Sequence, residues 1–204
     1  MNRPERIGIF GGSFDPVHNT HCDIARSAIE DAGLDRVVFV VAARPPHKRE
    51  GAHASAANRY AMVRAAVQDD PRMDVSAIEM NRKGPSYTID TLREFHRQFP
   101  EAELFLILGF DSLLDLPKWK DSQGILASAQ LLVAPRPGGA SSVLTAEIEG
   151  HYTLLPLSGN ALSSTEVREQ ILAGARFSDL VPPAVEALIR SRGIYHADYA
   201  DSSR

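Results

Sequence analysis

Gly11-Gly12-Ser13-Phe14-Asp15-Pro16-Val17-His18-Asn19-Thr20-His21 follows directly on the apolar run Arg6 to Phe10 (RIGIF), and this junction decides the fold. The run reads as a buried strand, the glycines as a turn, and the stretch from about Asn19 to Ala32 as a helix. Glycines where a first strand ends let the backbone pass close to a ligand, and the helix start behind them offers N–H groups to an anion. His18 and His21 stand three apart in the first helical turn, so both can face the same anion. As hydrogen-bond donors they suit charge that grows on a phosphorus under attack. The GxGxxG spacing of a dinucleotide-binding turn is absent.

The rest of the chain repeats this alternation. Arg36 to Val41 (RVVFVV) reads as a second strand and Ser55 to Gln68 as a second helix with Ser55 as N-cap. Met73 to Ile78 is a third strand, Ser86 to Gln98 a helix, Glu103 to Leu108 a fourth strand, Gln130 to Ala134 a fifth and Tyr152 to Pro156 a sixth. Strands that are apolar throughout and separated by helices predict a parallel sheet covered on both faces. Right-handed crossovers make that an α/β, Rossmann-like doubly wound fold, with its ligand crevice at the carboxyl ends of the strands. Two helices, about Ser164 to Ala173 and Pro182 to Ser191, form a small C-terminal helical part over about 160–195. One domain over 1–195 and a disordered tail over 196–204 are expected. Two stretches rich in proline and basic or small residues, Arg44 to Ala54 and Pro135 to Ser142, read as loops.

Composition narrows the class. With 204 residues, 44% of them hydrophobic, the chain can bury one substantial core. A net charge of -4 argues against a nucleic-acid or anionic-membrane partner, so any anionic ligand must meet a local positive field. The single cysteine, Cys22, allows no internal disulfide and reads as a buried, inert thiol. The longest apolar run, Val37 to Ala43, is far too short to span a bilayer, and the charged stretch before the first strand is no signal peptide. A cytoplasmic protein is expected, and the sequence leaves open whether it forms a homo-oligomer.

A second cluster, Ser163-Ser164-Thr165-Glu166-Val167-Arg168, places hydroxyls at a helix start with an arginine one turn in. That pattern caps a helix and also cradles a phosphate. Two other readings of the first motif stay open on the residues alone. Asp15, His18 and His21 could bind a metal, or the histidines could be purely structural. His53, His96 and His151 fall outside every motif and read as ordinary surface histidines.

Gly11 to His21 resembles the HxGH signature of the adenylyl- and cytidylyltransferase superfamily, in the GGxFDPxHxxH form of the nicotinate-nucleotide adenylyltransferases. Thr20 stands where the superfamily usually has glycine. Ser163 to Arg168 is similar to that family's SSTxxR motif. Pro45-Pro46-His47-Lys48 resembles its PPHK loop, Ser86-Tyr87-Thr88 its SYT helix start, and Gly109-Phe110-Asp111 its GxD turn, with Phe110 replacing a small residue. Trp119 and Arg136 match a stacking tryptophan and a phosphate-side arginine of the family.

The resemblance implies transfer of AMP from ATP to nicotinate mononucleotide, giving deamido-NAD and pyrophosphate. It implies His18 and His21 as catalytic residues. ATP would be held by Gly11, Gly12, Ser13, Phe14, Lys48, Asp111, Ser163, Ser164, Thr165 and Arg168. The acceptor would be held by His47, Tyr87, Thr88, Trp119 and Arg136. Mg²⁺ would arrive on ATP, and no residue is assigned as a resident metal ligand. An adenylyltransferase for nicotinamide mononucleotide or phosphopantetheine, and a non-catalytic nucleotide-binding module, are the competing readings.

Overall fold

The computed structural model describes residues 3–44, 52–135, 148, 150–157 and 162–196. Six parallel strands form one sheet in the order β3-β2-β1-β4-β5-β6. They are β1 (Arg6–Gly12), β2 (Arg36–Val41), β3 (Met73–Ser76), β4 (Glu103–Gly109), β5 (Gln130–Ala134) and β6 (Tyr152–Leu154). Helices α1 (Asn19–Glu30), α2 (Ala56–Val67), α6 (Ser164–Leu172) and α7 (Pro183–Arg192) cover one face. Helices α3 (Thr88–Gln98), α4 (Phe110–Asp115) and α5 (Ser122–Ser128) cover the other.

Side-chain alternation along each strand divides the core in two. Phe10, Val37, Phe39, Val41, Phe105 and Ile107 point into the layer under α1, α2 and the C-terminal helices. Ile7, Ile9, Val38, Val40, Leu104 and Leu106 point into the layer under α3 and α5. A strand buried on both faces needs an unbroken apolar run, which is why RVVFVV and ELFLILG carry no interior polar residue. From β1 the chain winds outward through β2 and β3, then returns to place β4 on the other flank of β1. That reversal opens a crevice beyond the carboxyl ends of β1 and β4.

Several expected boundaries shift. β1 runs on through both glycines, with Gly11 opposite Val40 and Gly12 opposite Val41, so the turn starts at Ser13. The helix expected from Ser86 begins at Thr88, because the Ser86 hydroxyl is drawn off to accept from the backbone N–H groups of Ala43 and Arg44. α1 stops at Glu30 rather than Ala32, β3 at Ser76 rather than Ile78, and β6 at Leu154 rather than Pro156. α4, the 3-10 turn Leu116–Lys118 and α5 were not foreseen; together they bridge β4 to β5. Ser55 does cap α2, accepting from the Asn58 N–H. Of the expected tail over 196–204, residues 197–204 lie outside the described residues, and the His196 N–H donates to the Gly193 carbonyl.

Candidate active site

The crevice is built first from its floor. Nothing lies within 4 Å of where a Cβ on Gly11 would sit, so that strand end faces open space. A Cβ on Gly12 would sit 2.8 Å from the Phe14 ring. Close approach of the Phe14 ring therefore requires glycine at position 12, whereas at position 11 it leaves bare backbone at the strand end. The left-handed conformation falls on Phe14 instead, at φ 47°. Its ring is buried against Phe10, Phe39 and His21, so the expected contact of Phe14 with ATP is corrected. Its side chain belongs to the core.

His18 ends the loop as N-cap of α1, and His21 stands one turn further on. Their rings are stacked with centroids 3.7 Å apart. The His18 backbone N–H donates to Nδ1 of His21 at 3.2 Å. An imidazole nitrogen that accepts carries no proton, so neutral His21 keeps its hydrogen on Nε2. Burial lowers the His18 imidazole to about 4, with Glu166 opposing the shift. Burial, and then His18 itself, hold His21 well below the usual range. Both rings are thus neutral donors at pH 7. Not every helix-start N–H that the sequence suggested is available to an anion. That of Asn19 is taken by the Leu180 carbonyl, and that of His21 by the His18 carbonyl.

The two motifs meet. Arg168 donates from Nη1 to the Asp15 carbonyl at 2.8 Å, and the Ser164 hydroxyl donates to the Pro16 carbonyl at 2.9 Å. Ser163 caps α6 in a reciprocal capping box with Glu166. Ser163 and Thr165 are exposed beside them, Thr165 accepting from Arg168 Nη2. Asp111 is exposed in the first turn of α4, at the carboxyl end of β4.

On the α3 side a cleft of about 230 Å³ runs from Gly11, Gly12 and Ser13 to Tyr87, Thr88 and Trp119. Of the residues expected around nucleotide and acceptor, His47, Lys48 and Arg136 lie outside the described residues. Of the others, Gly11, Gly12, Ser13, Tyr87, Thr88 and Trp119 line the cleft, while Ser164 and Arg168 meet the Asp15–Pro16 backbone.

Several site-forming residues escape a reading of the sequence. Arg59, on α2, is buried and donates to three carbonyls: Ser13 at 2.7 Å, Ala42 at 2.8 Å and Ala54 at 3.1 Å. Its signal was a charged residue sharing the helical spacing of the buried Met62, Val63 and Val67. Glu79 reaches the cleft and accepts from the Thr91 hydroxyl at 2.6 Å. Arg82 donates to the Tyr87 carbonyl at 3.4 Å, bracing the start of α3. Lys120 is the one cation among the described residues lining the cleft; its Nζ lies 4.4 Å from the Tyr87 ring centroid and 3.1 Å from Asp90. Asp15 is buried, and its carboxylate accepts from the backbone N–H groups of His53 and Ala54. That engagement leaves the metal-ligand reading of Asp15, His18 and His21 without its carboxylate. His53 is exposed, as expected of a surface histidine, and is also tied to the loop, with Nδ1 3.3 Å from Asp15 Oδ2.

Comparison with known proteins gives a consistent answer. The family described as cytidylyltransferase-like matches residues 9–170. A Thermus thermophilus protein named "Probable nicotinate-nucleotide adenylyltransferase" is 46% identical over 93% of this chain and 99% of its own. One of the same name from Gloeobacter violaceus is 41% identical over 94% and 96%. Among solved structures, Plasmodium falciparum nicotinic acid mononucleotide adenylyltransferase complexed with NaAD superposes with a TM-score of 0.77. It covers 94% of this chain and 97% of that one at 18% identity, a likeness of fold. No helix among the described residues is long and apolar enough to cross a membrane.

Proposed function

The chain belongs to the cytidylyltransferase-like family and, within it, to the nicotinate-nucleotide adenylyltransferases, and from that membership we propose how its own residues perform the transfer. The enzyme moves AMP from ATP to nicotinate mononucleotide, yielding nicotinate adenine dinucleotide and pyrophosphate on the route to NAD. A phosphate oxygen of the mononucleotide forms a bond to the α-phosphorus of ATP, and the bond from that phosphorus to the bridging oxygen of pyrophosphate breaks. The attacking phosphate is already ionised near neutrality, so no enzyme base or nucleophile is needed.

Catalysis then rests on position and charge. The observation that carries the reading is the meeting of the Asp15–Pro16 backbone with Ser164 and Arg168, beside the stacked imidazoles. His21 presents Nε2–H to the α-phosphate as negative charge spreads over its oxygens. His18 packs beneath it and adds a second donor once the triphosphate enters. Arg168, Ser163, Ser164 and Thr165 face the departing pyrophosphate, with Lys48 from the basic loop. Gly11 and Gly12 let the nucleotide lie on bare backbone, Ser13 borders it, and Asp111 meets its ribose. Tyr87, Thr88 and Trp119 frame the pyridine ring, and His47 and Arg136 approach the acceptor's phosphate.

Nucleotidyltransferases of this family use a divalent metal with ATP. Among the described residues no three His, Cys, Asp or Glu side chains form a metal cluster, and Asp15 is engaged elsewhere. These residues fit an ion carried on the phosphates, for which we propose Mg²⁺, supplying charge neutralisation when bound. The cytoplasm is the proposed location. A pyrophosphate-release assay with ATP, Mg²⁺ and either pyridine mononucleotide tests the whole reading. Release is expected with the acid and little with the amide. ATP binding without release under either acceptor would leave only a nucleotide-binding module.

A further inference from the structure

The segment that carries the histidines does not support itself. Between β1 and α1 the carbonyls of Ser13, Asp15 and Pro16 are held by Arg59, Arg168 and Ser164, all from other elements. Phe14 within it occupies the left-handed region. Only one side chain of this segment carries a buried charge, that of Asp15. Its Oδ2 accepts from His53 N–H at 2.7 Å and its Oδ1 from Ala54 N–H at 3.0 Å. A third donor comes from far along the chain: the Tyr195 hydroxyl, 2.8 Å from Oδ1.

Tyr195 lies just past α7, is buried, and itself has φ 67°. An aromatic residue in that conformation needs its surroundings to hold it there. Burial, and then the neighbouring carboxylate, push its phenol well above the ordinary range, so it remains a donor at every working pH. A buried carboxylate is costly unless its acceptor sites are filled, and a neutral hydroxyl fills one without adding charge. Three residues beyond Asp15 stands His18, whose backbone N–H sets the His21 tautomer. Displacing Asp15 displaces that N–H.

We propose that the Tyr195 hydroxyl is a positioning group for transfer, holding the Asp15 carboxylate and through it the backbone that orients His18 and His21. The inference rests on the histidine roles given above. The hydroxyl touches no reacting atom.

Tyr195→Phe keeps the ring and removes only the donor. In the full-length protein kcat is expected to fall about tenfold, with both substrate KM values within about twofold, as for a small misplacement of reacting groups. The imidazole nitrogen NMR shifts of ligand-free protein should at the same time move from a single Nε2–H state of His21 toward an averaged one. Ile189→Val trims the buried face of α7 and leaves the hydroxyl alone; it should lower the melting temperature and keep kcat. Folded fraction is read by circular dichroism at the assay temperature, so kcat refers to folded molecules. Unchanged kcat and histidine shifts in Tyr195→Phe would overturn the proposal. So would an equal kcat loss in Ile189→Val, which would mark general loosening. The histidine assignment fails separately, if His21→Ala turns over normally.

Discussion

Two imidazoles 3.7 Å apart, tilted at 34° and both neutral, would meet an anion as hydrogen-bond donors that bring no charge of their own. The advantage is fixed direction: His21 has one nitrogen committed to the His18 N–H and the other committed as donor. Removing it in His21→Ala should lower turnover about a hundred- to thousandfold, the loss expected for one preorganised donor. Turnover near that of the unaltered enzyme would reject the role. Substrate choice can be tested at a different side chain. Asp90 lies 3.1 Å from the cleft-lining Lys120 and 3.7 Å from Arg93. Without Lys120, a substrate carboxylate entering there would meet Asp90 countered by Arg93 alone, a repulsion that a neutral amide would not feel. Lys120→Met should therefore shrink the kcat/KM preference for acid over amide by about three- to tenfold, a range suited to a partly exposed pair. Asp90→Asn should move the ratio the opposite way. If both variants shift it in one direction, local charge is not what discriminates.

At the level of elements, the loop after β1 owes its shape to α2. Arg59 is 1% exposed; three carbonyls and the field of Asp15 keep its charge tolerable, although burial lowers its pKa. Arg59→Met would strand the Ser13, Ala42 and Ala54 oxygens, at a cost of about 3–5 kcal/mol. Urea unfolding measures this, and a loss under about 1 kcal/mol would show that water or neighbours can replace the guanidinium. Strands were legible because burial on both faces writes a continuous apolar run: Gln130–Ala134 falls where the pattern puts it. α4 and α5 were not, since six- and seven-residue helices are too short for a periodic stripe to stand out. The histidines, the hydroxyl turn and the Tyr87–Trp119 walls could be read because their chemistry recurs at fixed spacing. Arg59, Glu79, Lys120 and Tyr195 could not, because each earns its place from partners distant in sequence, such as Asp15 for Tyr195.

For the whole molecule, the histidines tie stability to acidity. An unfolded His18 would titrate near 6.5, while the folded one is held at about 4. Below the higher value the unfolded chain takes up a proton that the folded one refuses, so stability is full above about pH 6.5 and drains away toward about pH 4. His18 alone accounts for about 3 kcal/mol over that window, and His21 adds in the same direction. Denaturant melts between those limits should show the slope, and His18→Gln should flatten it. A slope unaltered by that change would mean other groups govern acid lability.

Three clamps on the histidine loop are made late: Ser164, Arg168 and Tyr195 stand 148, 153 and 180 residues beyond their partners. A nascent chain still emerging from the ribosome can pair β1 with β2, yet its Asp15–Pro16 peptides wait for side chains not yet synthesised. Competence is thereby withheld until synthesis has passed α7, and a prematurely terminated product would keep both histidines but lack part of the scaffold that aims them.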